Sequence, residues 1–146
     1  MPVPSREQLL KWADGYVDLW NAGDKKAWER NWRDVAPGEF RMLDPVGTPE
    51  RRGFEECTLG PFDLFQPIIR YHVARETRFV CANEVAWVME NHFTIDGVTI
   101  VMRSIENFRF DADGSVTMRT YYDVPGPDSP LGKLFAKYLP GHHPEA

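Results

Sequence analysis

Residues 84–110, "EVAWVMENHFTIDGVTIVMRSIENFRF", decide the fold. Two runs rich in β-branched and aromatic residues flank Asp96-Gly97, a dipeptide whose tolerance of positive φ suits a two-residue hairpin turn. In the first run Val85, Trp87, Met89, Asn91 and Phe93 share one side, and Ala86, Val88, Glu90, His92 and Thr94 share the other. The first set is bulky and apolar, so it faces inward. The second run places Met102, Ser104, Glu106 and Phe108 against Val101, Arg103, Ile105 and Asn107. Neither face of that strand is wholly apolar. A polar Glu and Ser therefore share the inward side with Met and Phe, and the half-apolar outer face predicts contact with a second copy of the chain.

Working outward, "IIRYHVARETRFVCA" and "SVTMRTYYDV" carry the same strand signature. They are set off by Asn83-Glu84 and by the turn residues from Asp111 to Gly114, which gives four long antiparallel strands after Pro67. Before them the period is helical. Ser5 and Gln8 form a capping-box pattern, and Leu9, Trp12, Ala13, Tyr16, Leu19 and Trp20 recur on one stripe, predicting a helix over residues 5–22. Gly23 stops it, and Asp24 caps a second helix running to about Trp32. A short strand, residues 39–43, follows. "GFEECTLGPFDLF" predicts a third helix interrupted at Gly60-Pro61. Helices followed by an antiparallel sheet make an α+β fold, with one domain over residues 1–124. The tail, residues 125–146, contains an amphipathic piece from Leu131 to Leu139 that can cover the domain or a neighbour.

Composition bounds the function. The chain has 146 residues and a net charge of −5, which disfavours nucleic acid as a partner because neutralising phosphates takes a basic face. No apolar run approaches a membrane span and no secretory leader is evident, so a cytoplasmic protein is expected. Aromatic residues make up 13% of the chain, enough ring surface for a bulky core and an apolar pocket. Cys57 and Cys81 sit among apolar residues and are expected to be buried free thiols. His142 and His143 lie in the tail and make no metal site, and no phosphate-cradling glycine loop or nucleophile signature appears. No cofactor and no metal are expected.

The stretch "RMLDPVGTPERRGFE", residues 41–55, carries the functional question. Asp44 follows Met42 and Leu43 and precedes Pro45, so it either starts a turn or serves as a base at a strand end. Together with "YVDLWNAGDKKAW" and "ENFRFDADGSVTMRTYY", this stretch resembles the nuclear-transport-factor-2-like superfamily, in its SnoaL-like and steroid Δ-isomerase branch. The resemblance runs from about Leu9 to Tyr122. It implies a cone-shaped fold, three N-terminal helices packed on a curved antiparallel sheet that encloses an apolar cavity, and a homodimer.

The same resemblance implies roles. Asp44 stands where the isomerases have their base, Tyr16 where they have a first-helix tyrosine, and Glu106 where they have a protonated aspartic acid, one methylene shorter. Trp32, Trp87, Met89, Asn91, Phe93, Met102, Phe108 and Tyr122 would line the pocket and bind a small hydrophobic molecule. The implied chemistry is cofactor-free transfer of a proton on a hydrophobic cyclic carbonyl compound. Each residue also has a structural reading: a turn-starting Asp44, a core Tyr16, and a Glu106 ion-paired to Arg103, Arg109 or Arg119. These would belong to a non-catalytic binding or dimerisation module of the same fold. His72 is the one histidine that a dehydratase-like pocket would use, and Arg103 followed by Ile105 lacks the Asp-Arg-Asp set of an epoxide hydrolase.

Overall fold

The structure, a computed structural model, describes residues 2–142; His143 lies outside them. Helix α1 (Arg6–Ala22) starts on the capping box: the Gln8 backbone N–H donates to Ser5 Oγ at 3.1 Å, and the Ser5 backbone N–H donates to Gln8 Oε1 at 2.8 Å. It ends at Gly23, whose φ of 72° lies in the left-handed region open to glycine. Asp24 then accepts from the Ala27 backbone N–H and opens α2 (Lys25–Val35). This helix runs three residues beyond Trp32 because Val35 continues the buried face begun by Trp28 and Trp32. The predicted third helix is a π-helical turn (Glu55–Leu59) running into a short α3 (Gly60–Phe65), so Gly60-Pro61 marks the change of winding.

The sheet is mixed, in the order β2 (Arg51–Arg52), β1 (Phe40–Leu43), β7 (Val116–Tyr121), β6 (Val98–Phe110), β5 (Glu84–Ile95) and β3 (Ile69–Val73), with β4 (Phe79–Cys81) also on β5. One pairing departs from the antiparallel expectation: β1 runs parallel to β7, with Phe40 opposite Val116 and Leu43 opposite Arg119. Alternation within a strand fixes its faces but not the direction of a distant partner: β1 pairs antiparallel with its sequence neighbour β2 on one edge, while its other partner, β7, lies more than 70 residues on. "IIRYHVARETRFVCA" is two strands, β3 and β4, joined through a 3-10 turn at Arg75–Thr77, and both pair along one edge of β5. Cys57 is buried, but Cys81 is exposed because it sits on the short outer strand β4.

The long β5–β6 hairpin turns at Asp96-Gly97, both at positive φ, and places Trp87 opposite Glu106 and Asn91 opposite Met102. Val85, Trp87, Met89, Asn91 and Phe93 are all buried, as the alternation requires. One glycine contact sets where β1 meets the β6–β7 turn. The Gly38 N–H donates to the Gly114 carbonyl at 2.8 Å, and a Cβ on Gly38 would stand 2.8 Å from the Gly114 carbonyl carbon. The tail folds back onto the same molecule. In α4 (Gly132–Tyr138) and its flanks, Leu131, Phe135, Tyr138 and Leu139 are buried in the core.

Candidate active site

The inward residues of the sheet divide along the strands. Toward Val85, Phe108, Phe110 and Val116 they join Trp12 and Trp32 in a packed aromatic cluster, with ring centroids of Trp12 and its neighbours 4.9–5.6 Å apart. Toward Phe93, Met102 and Thr120 they line a cavity of about 70 Å³. Asp44, Tyr16 and Glu106 all line it. They arrive from the end of β1, the middle of α1 and the middle of β6, which only the tertiary fold brings together.

Asp44 is not a turn-starting residue in the ordinary sense. The turn is closed by the Thr48 backbone N–H and Oγ donating to the Pro45 carbonyl, while the Asp44 carboxylate accepts from the Tyr138 hydroxyl at 2.8 Å. Burial raises its pKa above the ordinary aspartate value, and the Tyr138 and Tyr122 hydroxyls and the Arg51 charge oppose that rise. Among the described residues Glu106 has no ion pair. Its Oε1 accepts from Trp87 Nε1 at 2.8 Å and its Oε2 from Ser104 Oγ at 3.0 Å, and Ser104 in turn accepts from Asn91 Nδ2. The three arginines proposed as partners are engaged elsewhere: Arg103 lies 3.8 Å from Glu90, Arg109 3.4 Å from Asp111, and Arg119 donates to Tyr121 Oη. Burial lifts the Glu106 pKa to about 7, against the Trp87 hydrogen bond and with the Asp44 charge adding to the rise. At neutral pH a large fraction of Glu106 thus carries its proton.

Tyr16 is buried among rings, stacked on Tyr71 at 5.7 Å between centroids. Burial first, then the charges of Glu106 and Asp44, holds its phenol far above the ordinary tyrosine pKa, so it keeps its proton as a donor. Cys57 is also on the wall, but burial pushes its thiol up to about 12, which leaves it un-ionised and inert as a nucleophile.

Of the expected lining, Asn91, Phe93, Met102, Phe108 and Tyr122 reach the cavity. Trp32, Trp87 and Met89 do not. Trp32 and Met89 are fully buried behind the wall, and Trp87 contributes only through its hydrogen bond to Glu106. All three are on inward faces; facing inward places a residue in the core but not at the part of the core that is hollow. Tyr71, Phe135 and Tyr138 also line the cavity, where the sequence gives no sign of them. Tyr71 alternates inward with Ile69 on β3, and Phe135 and Tyr138 follow the apolar period of Leu131 to Leu139, so their periodicity was visible while their destination was not. His72 is exposed on β3 and His92 bonds Glu90 outside the cavity.

The fold matches solved structures. A protein from Jannaschia sp. CCS1 assigned as a SnoaL-like polyketide cyclase superposes with a TM-score of 0.63 at 18% identity, over 84% of this chain and 89% of that one. The chain has the SnoaL-like, nuclear-transport-factor-2-like fold. Within this SnoaL-like fold, the epoxide hydrolase/cyclase-like enzyme SalBIII, of pyran ring formation in the polyether salinomycin, matches with a TM-score of 0.65 at 15% identity, over 81% of this chain and 92% of its own. RV0760c from Mycobacterium tuberculosis, in complex with estradiol-17β-hemisuccinate, matches with a TM-score of 0.61 at 22% identity, over 80% and 95%. No protein-family model matches the sequence, and no curated protein is similar to it in sequence.

Proposed function

We propose that the protein is a cofactor-free acid–base isomerase acting on a neutral, hydrophobic cyclic carbonyl compound. The observation that carries this reading is that two carboxyls and a phenol from separate elements face one cavity in unlike environments. Asp44 is the base and takes a proton from the carbon next to the ketone. The resulting dienolate carries its charge on oxygen, where Tyr16 and protonated Glu106 donate hydrogen bonds. Asp44 then returns the proton two carbons further along, so the double bond moves and nothing else is consumed. An acid held neutral by an apolar site is the device that makes such donation available near pH 7. The estradiol ester bound by the Mycobacterium protein supports a ring system as the class of ligand. With the ionised Asp44 carboxylate on the wall, an anionic substrate would meet repulsion.

The test is turnover of a Δ5-3-ketosteroid, followed by the absorbance of the conjugated enone. The wild type is expected to turn it over between the raised pKa of Asp44 and about pH 7, where Glu106 loses its proton. Asp44→Asn is expected to lower kcat by about 10²–10⁴-fold while binding persists. Binding without turnover by wild type, across a panel of such enones, overturns the reading in favour of a binding module.

We also propose that a second copy covers the outer sheet face. Val101, Ile105 and Tyr121 are exposed there, and the same face carries Glu90 beside Arg103, so a two-fold contact can set acid against base across the interface.

A further inference from the structure

Asp44 is held from an unexpected direction. The Tyr138 hydroxyl, on the C-terminal helix α4 and 94 residues away in sequence, donates to Asp44 Oδ2 at 2.8 Å. Tyr138 is itself fixed twice by one side chain: Arg51 donates to its backbone carbonyl at 2.6 Å and lays its guanidinium over the phenol ring, 4.1 Å from the centroid. Phe65 packs edge-on against the same ring at 4.7 Å. A buried phenol with three restraints has little rotational freedom, so its O–H is pre-aimed at one carboxylate oxygen.

We propose that Tyr138 is a positioning residue for Asp44, delivered by the docking of α4 and clamped by Arg51. The inference rests on the acid–base reading above and adds to it the group that sets the base in place. One carboxylate oxygen is pinned by a hydrogen bond that favours the ionised form, which leaves the base oriented and charged in a site whose burial favours the neutral acid. The helix that carries the pin also walls the cavity through Phe135, so the closed site and the set base come together. The other titratable groups facing Asp44 are Tyr122 after β7, Arg51 on β2, Cys57 on the π-helical turn, Glu106 on β6, Tyr16 on α1 and Tyr71 on β3.

The test reads Asp44 directly, by carbon-13 NMR titration of the aspartate carboxyls, with the Asp44 signal assigned through its loss in Asp44→Asn. Tyr138→Phe removes the donor and is expected to move the Asp44 midpoint to higher pH. Incorporation of 3-fluorotyrosine at position 138 makes a more acidic donor of nearly the same shape and is expected to move it to lower pH. The second substitution keeps the experiment decisive should Tyr138→Phe fail to fold. With a Δ5-3-ketosteroid, Tyr138→Phe is also expected to lower kcat by about tenfold with KM little changed, and to carry the acid limb of kcat/KM in the direction of the NMR midpoint. An Asp44 midpoint unmoved by either substitution overturns the proposal, as does an acid limb that stays in place in an active, folded Tyr138→Phe protein. Opposite NMR shifts in a protein without turnover uphold the Tyr138 contact and overturn the isomerase reading alone.

Discussion

The two halves of the interior are built from similar aromatic residues and do opposite things. Around Trp12, Trp32, Phe40 and Phe110 the rings meet tilted or edge to face and leave no room, to the point that the Trp12 and Trp32 indole N–H groups are buried without a hydrogen-bond partner among the described residues. Around Tyr16, Tyr71, Tyr122 and Tyr138 the rings carry hydroxyls, two carboxyls stand among them, and the space stays open. The packed half gains burial at the expense of two unsatisfied donors. The hollow half spends stability by keeping acids out of water. Substitutions in the two halves should therefore move different observables.

The largest expected effect on stability is in the packed half. Phe110 is fully buried against Trp12 and Trp32, so Phe110→Ala leaves a cavity that its rigid neighbours cannot fill. A loss of about 3–5 kcal/mol is expected in urea unfolding. The Glu106 titration, followed by NMR, should stay at about 7 in this variant. A Glu106 midpoint that falls with the lost packing would mean that the two halves are not separate.

The hollow half should respond to pH instead. Burial lifts the Glu106 pKa from the ordinary 4.5 to about 7, so folding favours its neutral form. That contribution is fully present below pH 4.5 and is lost as the pH rises through about 7. Across this window wild-type stability should fall by roughly 3 kcal/mol relative to Glu106→Gln, an isostere with no proton to lose. The raised pKa of Asp44 acts in the same sense at lower pH and is common to both proteins. Glu106→Gln should also remove the alkaline limb of kcat/KM. Parallel stability–pH curves for the two proteins would show that Glu106 titrates as an ordinary surface acid.

The contrast between the halves also explains what the sequence made legible. Periodicity reports which side of a strand or helix is buried, and on that basis α1 with its capping box, the β5–β6 hairpin and the inward position of Glu106 were all readable. Hollowness is a property of how three or four elements fail to meet, and no single stretch encodes it. That is why Trp87 and Met89, inward on the same strand as Asn91 and Phe93, were expected on a wall they stand behind. Chain direction is equally hidden, as the parallel β1–β7 pair shows. The amphipathic period of Leu131 to Leu139 announced a buried face, but nothing local to it could announce Asp44, which lies 94 residues from Tyr138 in sequence.

The smallest effect on the folded chain, and the one that extends the comparison to its exterior, is expected on the outer sheet face. Ile105 alternates with Glu106 on β6, so one residue faces solvent and the next faces the cavity. Ile105 is 54% exposed, and a charge placed there costs the monomer little, within about 0.5 kcal/mol. If a second copy covers this face, the same charge must be buried or expelled, and Ile105→Glu should turn a dimer into a monomer in sedimentation velocity while circular dichroism is unchanged. A wild-type monomer at micromolar concentration would refute the second copy. A dimer that persists in the variant would place the contact elsewhere. Because Ile105 and Glu106 are adjacent on one strand, the comparison has a further arm: an interface that braces β6 should hold Glu106 at its raised pKa, and the monomeric variant should then titrate Glu106 at lower pH than the dimer, as loosening of the strand admits water to the carboxyl.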